Sequence, residues 1–122
     1  MNSDSRSILY TIKKMLGLDP DYDPFDIEII THINSAFTML RQLGVGPRKG
    51  FRITGNAESW NDFIDDDTIV DWAKEYIYLK VRSVFDPPTS SSVAKALEQQ
   101  AEGLEWRMVV MAEEEGDEDG CS

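Results

Sequence analysis

Residues 23–44, DPFDIEIITHINSAFTMLRQLG, decide how the rest of the chain is read. Asp23 can cap a helix, Pro24 suits a first turn because its φ is fixed and no donor is needed there, and Asp26 puts negative charge at the positive end of the helix dipole. Ile27, Ile30, Ile33, Phe37 and Leu40 then recur at helical spacing, and Gly44 is placed to be the left-handed stop. About 20 residues at 1.5 Å each give a rod of roughly 30 Å, the diameter of a small domain.

Helical spacing continues on both sides of this rod. Upstream, Ile8, Ile12, Met15 and Leu16 share one face of a short first helix that Gly17 and Pro20 end. Downstream, residues 45–55 differ in character: Phe51 and Ile53 alternate with Arg52 and Thr54, which predicts a short extended piece or hairpin, and Arg48, Lys49 and Arg52 make it the most basic stretch of the chain. Residues 56–63 suit a short helical turn around Trp60. A third long helix is predicted from near Thr68, with Asp71 early in it, to Phe85, where Pro87 and Pro88 forbid its continuation. Its apolar positions, from Ile69 and Val70 through Trp72, Ala73, Tyr76, Ile77, Leu79 and Val81 to Val84, cover more than one face, so it is expected at the centre. Serines 90–92 offer a cap for a fourth helix, whose seam of Leu97, Ala101, Leu104, Met108 and Met111 advances by alternate steps of four and three and packs along another helix. The fold class read from this pattern is all-α: a bundle of about four helices with an extended loop or hairpin between the second and third.

The 122 residues amount to one domain, and 41% hydrophobic content is enough to bury a core. Twelve basic residues face 23 acidic ones, a net charge of −11, which disfavours a sequence-independent grip on nucleic acid or an anionic membrane. Six of the acids fall between Glu113 and Asp119, among glycines and without a single cation, so 1–112 reads as one helical domain and 113–122 as a disordered acidic tail. The N-terminal stretch is too short and too charged for a signal peptide or a span, and the lone Cys121 can close no intrachain disulfide; an intracellular protein is expected.

Motifs that carry chemistry are mimicked rather than present. Asp19, Asp21 and Asp23 take the first, third and fifth places of a calcium loop, but Pro24 stands where glycine is needed and Ile30 where a bidentate glutamate is needed. Gly44, Gly46 and Gly50 follow a helix rather than a strand and are misspaced for a phosphate loop, so turn chemistry accounts for them. His32, the only histidine, sits inside a helix without a nucleophile, and one Cys with one His cannot hold zinc. Asp65, Asp66 and Asp67 read as a solvated lead into a helix rather than as acid catalysts. Trp60, Trp72 and Trp106 read as packing residues rather than stacking platforms. No enzyme activity, cofactor or metal is expected; contact surfaces are.

Five blocks in order carry a further signal: INSAFTMLRQLGVGP (residues 33–47), GFRI (50–53), the W-x-D-F of 60–63, EYIYLKVRSVFDPPTSS (75–91) and LEWR (104–107). Over residues 7–111 the chain resembles the head-tail connector proteins of tailed bacteriophages, also called adaptor, head-completion or DNA-packaging proteins. The resemblance implies a helical subunit that joins a closed ring of about a dozen copies beneath the portal, in the virion neck after assembly in the host cytoplasm. The ring would contact the portal and a tail or stopper protein and let DNA pass without sequence-specific binding. It also implies two groups at subunit or portal contacts: Arg48, Lys49, Phe51 and Arg52 in the loop, and Glu105, Trp106 and Arg107 in the last helix. A mildly negative channel wall suits the passage of DNA, and unlike charges suit head-to-tail contacts. The other reading of an acidic helical chain is an inhibitor that mimics DNA, whose carboxylates would line one folded face.

Overall fold

The Ser7 hydroxyl oxygen accepts the Tyr10 amide at 3.3 Å and so caps α1 (Ile8–Met15), which buries Ile8, Leu9 and Ile12. The structure, a computed structural model, describes residues 7–121, with side chains as far as Glu113. Four further helices follow: α2 (Asp26–Gln42), α3 (Trp60–Phe63), α4 (Asp67–Phe85) and α5 (Ser91–Cys121). The bundle and its element order match the sequence reading, with the turn around Trp60 becoming α3. Central α4 is packed by α1, α2 and α5, and its Ala73, Tyr76, Ile77 and Val81 are wholly removed from solvent. Val84, in its last turn, departs from the expected pattern and is 57% exposed.

The start of α2 differs from expectation. Asp23 offers only its carbonyl, to the Asp26 amide at 3.1 Å, and Phe25 occupies the capping position with no side-chain hydrogen bond. Packing replaces capping here, because the Phe25 ring meets the edge of Phe85 at 5.2 Å, tying the first turn of α2 to the last of α4. The buried stripe is Ile29, Ile33, Ala36, Phe37 and Leu40, while Ile27 is 84% exposed. Lys13 explains the rotation. Its side chain is fully buried, donates to the Pro20 carbonyl at 2.8 Å and lies 2.8 Å from the Asp26 carboxylate. Asp26 must therefore face inward, and a helix that turns Asp26 inward carries Ile29, Ile30 and Ile33 with it and swings Ile27 out.

At the other end, the Asp66 carboxylate accepts the Ile69 amide at 3.1 Å and caps α4, and the Ser90 hydroxyl accepts the Val93 amide at the start of α5. Ala101, Leu104 and Met108 are buried and Leu97 and Met111 half-buried, as the seam predicts. The helix includes Glu113, the first residue of the expected tail, and the side chains beyond it lie outside the described residues.

Candidate assembly interface

The loop after α2 is built in four steps. Gly44, with φ of 85°, donates to the Arg41 carbonyl at 3.0 Å while the Val45 amide donates to the Leu40 carbonyl at 2.9 Å, and Val45 is buried. This pair of bonds is the Schellman stop that the glycine signalled. At Gly46 a Cβ would come within 2.5 Å of the Phe63 ring, so the chain slips past α3 only as glycine. A tight turn follows, in which the Gly50 amide donates to the Pro47 carbonyl at 2.9 Å and Arg41 Nε holds the Arg48 carbonyl at 2.9 Å. Arg48 and Lys49 at its apex are exposed.

Beyond the turn the backbone is extended and the alternation read from sequence holds. Phe51 packs on Phe37 at 5.0 Å and Phe63 at 5.7 Å, Ile53 is fully buried, and Arg52 points outward beside Thr31, Ser35 and Thr38 of α2. No hairpin forms; the pairing edge comes from a side chain. Asn34 accepts the Ile53 amide at 2.7 Å and donates to its carbonyl at 2.9 Å, so one carboxamide does the work of a neighbouring strand. Sequence reasoning missed this partner, since an Asn inside a helix is usually solvent-facing.

Glu58 closes the segment. Its carboxylate accepts both the amide and the hydroxyl of Thr54 at 2.9 Å, and its carbonyl accepts the Ile8 amide at 3.1 Å. Burial alone would raise the Glu58 carboxyl, but the Thr54 bonds outweigh it and hold the group below its ordinary value of 4.5. A depressed carboxyl contributes stability above its unfolded value and loses it as pH falls through the folded one. The difference in urea midpoint between the native protein and Glu58→Gln is therefore expected to be largest near pH 7 and to shrink as pH falls through the depressed value of the folded carboxyl. A gap that stays constant to pH 3 would contradict this account.

The second group lies on α5. Leu104 is buried, and Glu105 accepts the buried Tyr76 hydroxyl at 2.7 Å; burial first, then this bond and the charge of Glu105, push the phenol well above the usual tyrosine range. Glu105 is thus engaged within the subunit. Trp106 is 69% exposed, which corrects the expectation that it packs in the core, whereas Trp60 is buried and donates to the Thr11 hydroxyl at 3.1 Å, and Trp72 is half-buried. The seam explains the difference: Trp106 stands two residues from Leu104 and two from Met108, on the opposite side of the helix. Arg107 is exposed. Among the described residues, no hydrogen bond, ion pair or ring contact joins the loop group to the α5 group.

A family model described as phage connector protein matches residues 8–115. The chain belongs to that family. No curated protein and no solved structure matches it. The match begins at the first residue of α1 and takes in both candidate groups of the connector, the basic loop and the Glu105–Trp106–Arg107 segment. The family is one of phage structural proteins, which interact with other proteins of the virion. No described helix of the connector is long and apolar enough to cross a membrane. Among its described residues no cluster of His, Cys, Asp or Glu could hold a metal.

Proposed function

We propose that this connector is the repeating subunit of a ring that sits beneath the portal, extends the DNA channel and receives a tail or stopper protein. The family match over residues 8–115 carries the reading. What the subunit presents to solvent supports it: a basic loop braced on an aromatic cluster and a large exposed aromatic on the last helix, features of surfaces that bind protein. Net acidity suits a channel that DNA must traverse without being held, because fixed cations would bind phosphate and slow its passage.

Deletion of the gene from its phage, followed by imaging of the particles, tests the reading. Filled or leaking heads beside separate, finished tails are expected. Normal tailed particles would remove the proposal.

A further inference from the structure

In a chain of net charge −11, one face gathers cations around two hollows whose linings hold no carboxylate. Two shallow hollows meet on it, lined by Thr31, Ser35, Thr38, Arg41, Lys49 and Arg52, beside the apex Arg48. The Arg48, Lys49 and Arg52 side chains form no ion pair within the subunit among the described residues. Ile27, 84% exposed, extends the same outer stripe of α2 away from the loop. A second face has the opposite character. Directly across α5 from its buried seam lie Gln99, Glu102, Trp106 and Glu113, all exposed, and neither Glu102 nor Glu113 is paired among the described residues. At 1.5 Å per residue the two acids stand about 6 and 10 Å along the axis on either side of the indole.

These faces are complementary and belong to different elements that both pack on α4, and among the described residues no hydrogen bond, ion pair or ring contact joins them within the subunit. We propose that they meet between copies: the Glu102–Trp106–Glu113 face of α5 on one connector seats on the Arg48–Lys49–Arg52 face of the next. Trp106 is the anchor, lying over the guanidinium of Arg41 or Arg52 beside half-buried Phe51, and the flanking carboxylates take the loop cations. The contact is head-to-tail, so every copy offers one of each face and the series closes into a ring when the rotation fits. It rests on the connector reading for its setting, but the fit itself is a property of the two faces. Arg107 lies on the flank of the stripe and is left for a different neighbour.

Charge exchange tests the contact. In the deletion phage, the loop variant Arg48→Glu with Lys49→Glu and Arg52→Glu, and the α5 variant Glu102→Lys with Glu113→Lys, are each expected to lower the yield of tailed particles at least tenfold, and their combination to restore most of it, because every interface is then inverted together. The exposed positions leave folding intact, which circular dichroism checks. Trp106→Ala is expected to fail without rescue by either set. A combination no better than the worse parent, or single sets without effect, overturns the proposal.

A second arm separates this proposal from the connector reading. In a Cys121→Ser background, purified full-length Glu102→Cys and Arg52→Cys proteins are mixed at high concentration and oxidised. A disulfide-linked dimer from the mixture, with none from either protein alone, supports the contact even where the gene deletion leaves particles normal. Dimers from one protein alone indicate a symmetric contact and overturn it, as does an absence of dimers from the mixture. Loss of duplex-oligonucleotide binding in the loop variant, with the Trp106→Ala protein still assembling, assigns the basic face to DNA and likewise overturns it.

Discussion

Phe37→Ala is expected to lower the stability of the connector by about 3–5 kcal/mol, a fall in Tm of roughly 10–20 °C for a chain of this size. Phe37 is 1% exposed and touches three other rings, Phe63 at 4.8 Å, Phe51 at 5.0 Å and Trp60 at 6.5 Å. Those rings come from two segments outside α2, the extended segment and α3, so truncating the one they share removes contacts that no small shift of a helix can replace. Phe51→Ala takes away only a half-buried ring and is expected to cost about 1–2 kcal/mol. Its signature differs in kind. The extended segment loses an anchor while α2, α3 and α4 keep theirs, so trypsin is expected to cut after Arg48, Lys49 or Arg52 faster than in the native protein at temperatures well below Tm. Equal cutting rates in the two proteins would show that Arg41 and Asn34 hold the loop without Phe51.

The buried ion pair gives the second large effect, and an asymmetric one. Asp26→Asn leaves the fully buried ammonium of Lys13 with the Pro20 carbonyl and a neutral amide in place of its counter-charge. Removing one partner of a wholly buried pair costs about 3–5 kcal/mol; Asp26 keeps 26% of its side-chain surface in water, and the expected loss is about 2–3 kcal/mol. Lys13→Met fills the same channel with an uncharged chain and frees Asp26 to turn to solvent, so its cost is expected to stay within about 1 kcal/mol. Urea unfolding of the two variants decides the matter: equal losses would mean that the pair matters as packing and not as charge. Because Lys13 is shielded from solvent, the Asp26→Asn loss is also expected to survive high salt, unlike that of a surface pair.

The same pair shows where sequence reasoning stopped. With isoleucine at 27, 29, 30 and 33, α2 admits two apolar stripes, and helical periodicity alone cannot choose between them. The choice is made by Lys13, 13 residues upstream, through a contact that no local pattern announces. The stop of α2 at Gly44, the end of α4 before Pro87 and the seam of α5 were legible because each depends on local backbone chemistry or on a single unambiguous stripe. The exposed position of Trp106 was written in that seam as well, and was missed by grouping it with Trp60 by residue type. In the candidate interface, the in-and-out alternation of Phe51, Arg52, Ile53 and Thr54 was readable, whereas its pairing partner Asn34, 19 residues away and on a helix, was not.

That carboxamide clasp sets a rule for how this loop can change. The Schellman stop fixes the chain at Val45 and the two bonds to Asn34 fix it again at Ile53, so the intervening path is pinned at both ends. Side chains alternate along an extended strand, and inserting or deleting one residue near Phe51 would turn a charged group toward the aromatic cluster and a ring toward water. Arg48, Lys49 and Arg52 contribute no side-chain contact to the clasp and are open to exchange. The segment can be respelled almost freely at its exposed positions, so its partner preference can be retuned by substitution, while its count of residues stays fixed.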